Sequence, residues 1–138
     1  MTASPEQQQL MLYDGTIRFC EQAAEAIKSG DIEQSYTRIN KAEQIVMELS
    51  NSMKDDVAPE TCANMRRLYL FCYDRLVQAN LKRDLHPLQE AILVLNELRD
   101  TWVMLMEKLK QQHGGSPAET PAEDLRVGEV GATLSVEG

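Results

Sequence analysis

An all-α fold, an antiparallel up-down-up-down four-helix bundle, is what this sequence predicts, and three observations carry the prediction. Apolar residues recur at alternating intervals of three and four in four successive stretches. Only a glycine and an aspartate stand between the first two stretches. No stretch alternates apolar and polar residues as a strand does. Intervals of three and four keep side chains on one side of a helix with about 3.6 residues per turn. The same alternation suits the shallow crossing angle of antiparallel bundles.

In the first stretch Ser4 is placed to cap a helix, Pro5 fits its first position, and Gln7 completes a capping box. The line runs Leu10, Tyr13, Ile17, Cys20, Ala24 and Ile27, and Gly30 closes it by a left-handed turn. Gly15 interrupts good helix chemistry at a cost of about 1 kcal/mol relative to alanine. Either the helix tolerates it, or another backbone crosses closely there.

Asp31 caps the second helix, whose line is Ile32, Tyr36, Ile39, Ala42, Val46, Leu49 and Met53. So short a link makes helices one and two antiparallel neighbours. The polar segment Lys54–Ala58 follows, and Pro59 opens the third helix along Cys62, Met65, Tyr69, Cys72, Leu76 and Ala79. Leu70, Phe71, Tyr73, Val77 and Leu81 widen its apolar arc. Asp84 caps the fourth helix, with Pro87 in the first turn, where its missing N–H does no harm. Leu85–Lys110 carries the line Ala91, Leu95, Leu98, Trp102, Leu105 and Leu109, and Gly114 and Gly115 end the helix.

The chain divides into a bundle domain, 1–113, and an acidic tail, 114–138. The tail holds Glu119, Glu123, Asp124, Glu129 and Glu137 against Arg126 alone, and few large apolar groups. Such a composition cannot bury enough surface to offset an ordering cost of about 1–2 kcal/mol per residue, so disorder is expected.

A net charge of −8 argues against nucleic acid and anionic membrane as partners. No run approaches the roughly 18 apolar residues of a membrane span. The start, MTASPEQQQ, lacks the basic and hydrophobic regions of a secretion signal. Cys20, Cys62 and Cys72 are odd in number and form no C-x-x-C pair, so they read as buried thiols in a reducing compartment. A cytoplasmic protein is the expectation.

Catalytic and metal-binding arrangements are missing from the pattern. Bundle di-iron sites use Glu-x-x-His pairs, whereas His86 and His113 follow Arg83 and Lys110 at that spacing. Both histidines fall near helix ends and are expected in solvent. Asp14 and Asp100 flank apolar lines and suit surface contacts better than acid catalysis. The chain is expected to be no enzyme and to need no cofactor or metal.

What remains is surplus apolar surface on helices three and four. Phe71, Tyr73, Val77, Ile92, Val103 and Met106 stand outside the core lines and are the candidate partner-binding residues. Apolar groups facing water on this scale mark an interaction site.

Two segments carry a resemblance. SPEQQQLMLYDG, Ser4 to Gly15, is similar to the opening helix of flagellar secretion chaperones of the FliS type, with its Ala-Ser-Pro and Leu-Tyr-Asp-Gly. RLVQANLKRDL, Arg75 to Leu85, and ELRDTW, Glu97 to Trp102, resemble the family's Leu-x-x-Ala-Asn before an aspartate and its Leu-Arg-x-x-Trp. The resemblance covers roughly residues 2–110. Tyr13, Asp14, Gly15, Ala79, Asn80, Asp84 and Trp102 match the motifs, and most are expected to hold the bundle together.

The resemblance implies a cytoplasmic export chaperone. Its partner would be the C-terminal segment of flagellin, kept unpolymerised and delivered to the flagellar type III export gate. A monomer is favoured, and a self-associating homodimer is the rival reading. The sequence departs from the family in lacking an upstream segment that resembles a movable cap, in having Gln8 where leucine is usual, and in its acidic tail.

The tail generates a first prediction. Deleting residues 116–138 should move the thermal midpoint by no more than a few degrees in a calorimetric scan. A larger drop would show that the tail docks on the bundle.

Overall fold

The computed structural model describes residues 2–52 and 59–115. Within them lie α1 (Pro5–Ser29), α2 (Ile32–Asn51), α3 (Pro59–Lys82) and α4 (Leu85–Gly115), and no strand. Each helix packs against its neighbours in a ring, α1 on α2 and α4, α3 on α2 and α4. Links of two residues force α1 and α2, and α3 and α4, to run antiparallel. The expected four-helix bundle is what forms. Met53, the Lys54–Ala58 segment and the tail beyond Gly115 lie outside the described residues. Gly114 and Gly115, assigned to the tail by the domain division, belong to α4.

The ends are made by the residues their chemistry suggested. Ser4 accepts from the Gln7 amide at 3.2 Å while the Gln7 side chain accepts from the Ser4 amide at 3.1 Å. Gly30 adopts a φ of 78°, and Asp31 accepts from the Gln34 amide at 3.1 Å. Asp84 accepts from the His86 amide, also at 3.1 Å. One terminus carries a surprise. Arg83 turns the chain from α3 into α4 with a φ of 48°, a left-handed conformation that disfavours a branched Cβ.

The core follows the predicted lines closely in α3 and α4. Cys62, Tyr69, Cys72, Leu76 and Ala79 are buried, as are Leu88, Ala91, Leu95, Leu98 and Trp102. Met65 and Leu105 are only half-buried. In α1 the line shifts: Ala23 and Ala26 are buried in place of Ala24 and Ile27, beside Thr16. These small side chains let α1 lie close to α2 as the two approach their link. In α2 the expected core residues Ile32 and Tyr36 are 56% and 57% exposed, and Ser35 takes the inward position. Its hydroxyl donates to the Ile32 carbonyl at 2.9 Å, so burying it strands no polar group.

Gly15 is explained by tolerance. A Cβ there would meet Ile45 Cδ1 at 3.9 Å, ordinary contact, with no backbone near enough to require glycine. Burial raises the thiol of Cys20 and pushes that of Cys72 up to about 12, which holds these two in the protonated form.

Two polar contacts cross the interior. The Tyr13 and Tyr69 hydroxyls, both fully buried, meet at 2.5 Å between the diagonal helices α1 and α3. Burial raises both phenols, Tyr13 to about 12, so both stay neutral and able to donate. Trp102 on α4 donates its indole N–H to the Glu6 carbonyl at 3.1 Å, which ties α4 to the first turn of α1.

Both contacts predict measurable costs. Trp102→Ala should destabilise the fold by about 3–5 kcal/mol in chemical denaturation, and an unchanged midpoint would contradict its burial. Tyr13→Phe or Tyr69→Phe alone leaves a buried hydroxyl short of a partner and should cost about 1–3 kcal/mol. The double Phe variant should lose clearly less than the two single losses together. Strict additivity would refute the coupling.

Candidate binding surface

The seven motif residues build the frame of the bundle. Tyr13 and Ala79 are fully buried, and Trp102 is almost so. Asp14 accepts from Arg99 on α4 at 2.5 Å, which fastens α1 to α4 and raises the arginine further through that bond and its charge. Asn80 on α3 donates to Asn40 on α2 at 3.3 Å. Asp84 caps α4, and Gly15 faces Ile45. Gln8 is exposed, so the first turn of α1 loses no core contact by lacking leucine there.

The six candidate binding residues do not lie along one seam of the bundle. Ile92, Val103 and Met106 stand seven before, four after and seven after Arg99, the residue of α4 that bonds α1. They therefore lie on the α1-facing edge of α4. Ile92 and Met106 are half-buried against the core. Tyr73 and Val77 precede Asn80 by seven and three and lie on the α2-facing edge of α3. Phe71, 40% exposed, lies one turn before Arg75, whose guanidinium covers the ring at 5.9 Å and bonds Glu90 of α4 at 3.2 Å. The reason is geometric. Residues flanking a helix's core line on opposite sides face different neighbours.

The structure instead assembles an open groove between α2 and α3. Asn40, Glu43 and Met47 of α2 and Tyr73 of α3 line it; helical spacing continues this edge to Tyr36 on α2 and to Leu70, Val77 and Leu81 on α3. Each set is spaced by about one helical turn. Tyr36, Leu70 and Leu81 are exposed by 57%, 53% and 73%. At the deeper end Asn40, Glu43, Met47 and Tyr73 help to line a depression of about 640 Å³. Partial burial there raises the Glu43 carboxyl above its ordinary value. Sequence reasoning missed Tyr36 as a surface residue because its spacing also fits the core line. Its companion spacing to Asn40, Glu43 and Met47 was the available signal.

The described residues place no group of three or more His, Cys, Asp or Glu side chains to hold a metal ion, and His86 projects into solvent beside Glu90. None of their helices is long and apolar enough to cross a membrane.

Residues 1–109 match the family described as flagellar protein FliS. The chain belongs to the FliS family. It is 35% identical over 115 residues to the flagellar secretion chaperone FliS of Bacillus subtilis, an alignment spanning 83% of this chain and 85% of that one. The FliS of Campylobacter jejuni is 32% identical over 99 residues, 72% of this chain and 77% of its own. The FliS of Salmonella typhimurium is 28% identical over 113 residues, 81% of this chain and 84% of its own. The family match ends at residue 109, short of the acidic tail.

Proposed function

We propose that this FliS-family chain is a cytoplasmic export chaperone. It binds the C-terminal segment of flagellin, keeps that subunit unpolymerised, and brings it to the flagellar type III export gate. The relatives' description as flagellar secretion chaperones supports the reading. The α2/α3 groove is the observation that carries it on this chain. An amphipathic helix recognises its partner by laying an apolar stripe, spaced at three and four, into such a groove. Tyr36, Met47, Leu70, Val77 and Leu81 supply the walls, and the frame holds them without needing them for its own core. Ordering of the segment opposes association, and burial of its apolar face drives it. The chaperone acts as a monomer and uses neither metal nor cofactor.

Calorimetric titration with a peptide of the flagellin C-terminal segment tests the site. Leu70→Asp combined with Val77→Asp places charge in the groove outside the buried core line. Helicity should remain, and affinity should fall by tenfold or more. Val103→Asp, on the opposite edge of α4, should bind as the parent does. Parental affinity in the first variant together with loss in the second would move the site to the α1/α4 edge. Light scattering without peptide should give the mass of one chain, and a dimer would favour self-association through this surface.

A further inference from the structure

The charged side chains lining the depression are of one sign. Among the side chains that line the groove's deeper end, Glu43 and Glu48 are charged, and both are acidic. Neither has an ion-pair partner among the described residues. The cations nearest in sequence on α2 are used elsewhere: Arg38 and Lys41 stand over the Phe19 ring on the α1 side, each at 5.9 Å. Arg75 of α3 turns the other way, to Asp74 and Glu90. Glu43 is therefore a partly desolvated carboxylate set among Met47, Tyr73 and Asn40, in a surface otherwise suited to an apolar helix face. A neutral side chain of the same shape would fit this place without the cost of burying charge. A carboxylate gains from the position only when a cation arrives with the partner.

We propose that Glu43 is a specificity-determining residue of the α2/α3 groove, pairing with a lysine or arginine that flanks the apolar stripe of the bound helix. The inference rests on the reading of this groove as the flagellin-segment site and adds which segments it accepts. An apolar helix without a cation leaves Glu43 buried and unpaired, so the groove rejects it. A helix with an acidic residue at that place is rejected more strongly, because like charges then meet. Asn40, held by Asn80, and the amides of Gln44 and Asn51 offer hydrogen bonds to whichever polar groups rim the helix, but none of them discriminates charge.

The test is calorimetric titration of the parent, Glu43→Gln and Glu43→Lys with the flagellin C-terminal peptide, at low and moderate salt. Glu43→Gln removes a charge whose burial opposes folding, so it should be at least as stable as the parent. It should bind about tenfold more weakly and lose part of the salt dependence, as expected for one charge-assisted contact. Peptides in which each basic residue is replaced in turn by norleucine should identify one position whose loss no longer matters in Glu43→Gln. Replacing that residue by glutamate should restore binding to Glu43→Lys. Equal affinity and salt response of parent and Glu43→Gln would overturn the proposal while leaving the groove as the binding site. The proposal fails in the same way if no basic position couples to Glu43. Failure of the parent itself to bind the peptide would remove the functional reading and this proposal with it.

Discussion

The hydrogen bond between Tyr13 and Tyr69 is the constraint on which the rest of this bundle depends. It joins diagonal helices, so it fixes the height of α1 against α3 across the centre of the bundle. Leucine packing alone allows a helix to slide by a turn at modest cost, since one apolar knob replaces another. Two buried hydroxyls do not permit that, because a slip separates them and leaves both without partners. Burial keeps both phenols neutral, so the bond needs no counter-charge.

Around this centre the other polar contacts act as edge fasteners. Asp14 with Arg99 holds α1 to α4, Asn40 with Asn80 holds α2 to α3, and Arg75 with Glu90 holds α3 to α4. Trp102 adds a fourth tie at the entry of α1. The exposed ion pairs contribute little to stability, since water screens them. They define which edge of each helix meets which neighbour. That definition matters for function, because it leaves the outer edges of α2 and α3 free to carry apolar side chains that the core does not claim. In this chain the arrangement is a frame with an open depression beside α2 and α3, a shape into which a helical segment can be laid.

The motif residues and the groove residues divide the work. Tyr13, Ala79, Asn80, Asp84 and Trp102 hold the fold, and none of the five is placed to touch a partner across the α2/α3 groove except Asn80 at its floor. Tyr36, Glu43, Leu70 and Leu81, the side chains assigned to recognition in the proposed function, fall outside the motif positions. Their exposure leaves apolar surface in contact with water.

Much of the molecule was legible from the sequence by itself. Helix number, the two-residue links, the Ser4, Asp31 and Asp84 caps and the core lines of α3 and α4 are local or periodic properties, written at fixed spacing along the chain. The tertiary structure alone decided the rest. Ser35 enters the core and Tyr36 leaves it, while Ile39, Ala42, Val46 and Leu49 keep the expected line, because packing between helices selects which of two adjacent residues faces inward. Ala23 and Ala26 replace Ala24 and Ile27 for the same reason. The six candidate binding residues scatter over three seams because a side chain's position on its own helix does not say which neighbour it faces. That depends on contacts between residues far apart in sequence, Asp14 with Arg99 and Asn40 with Asn80, and only the folded bundle brings those together.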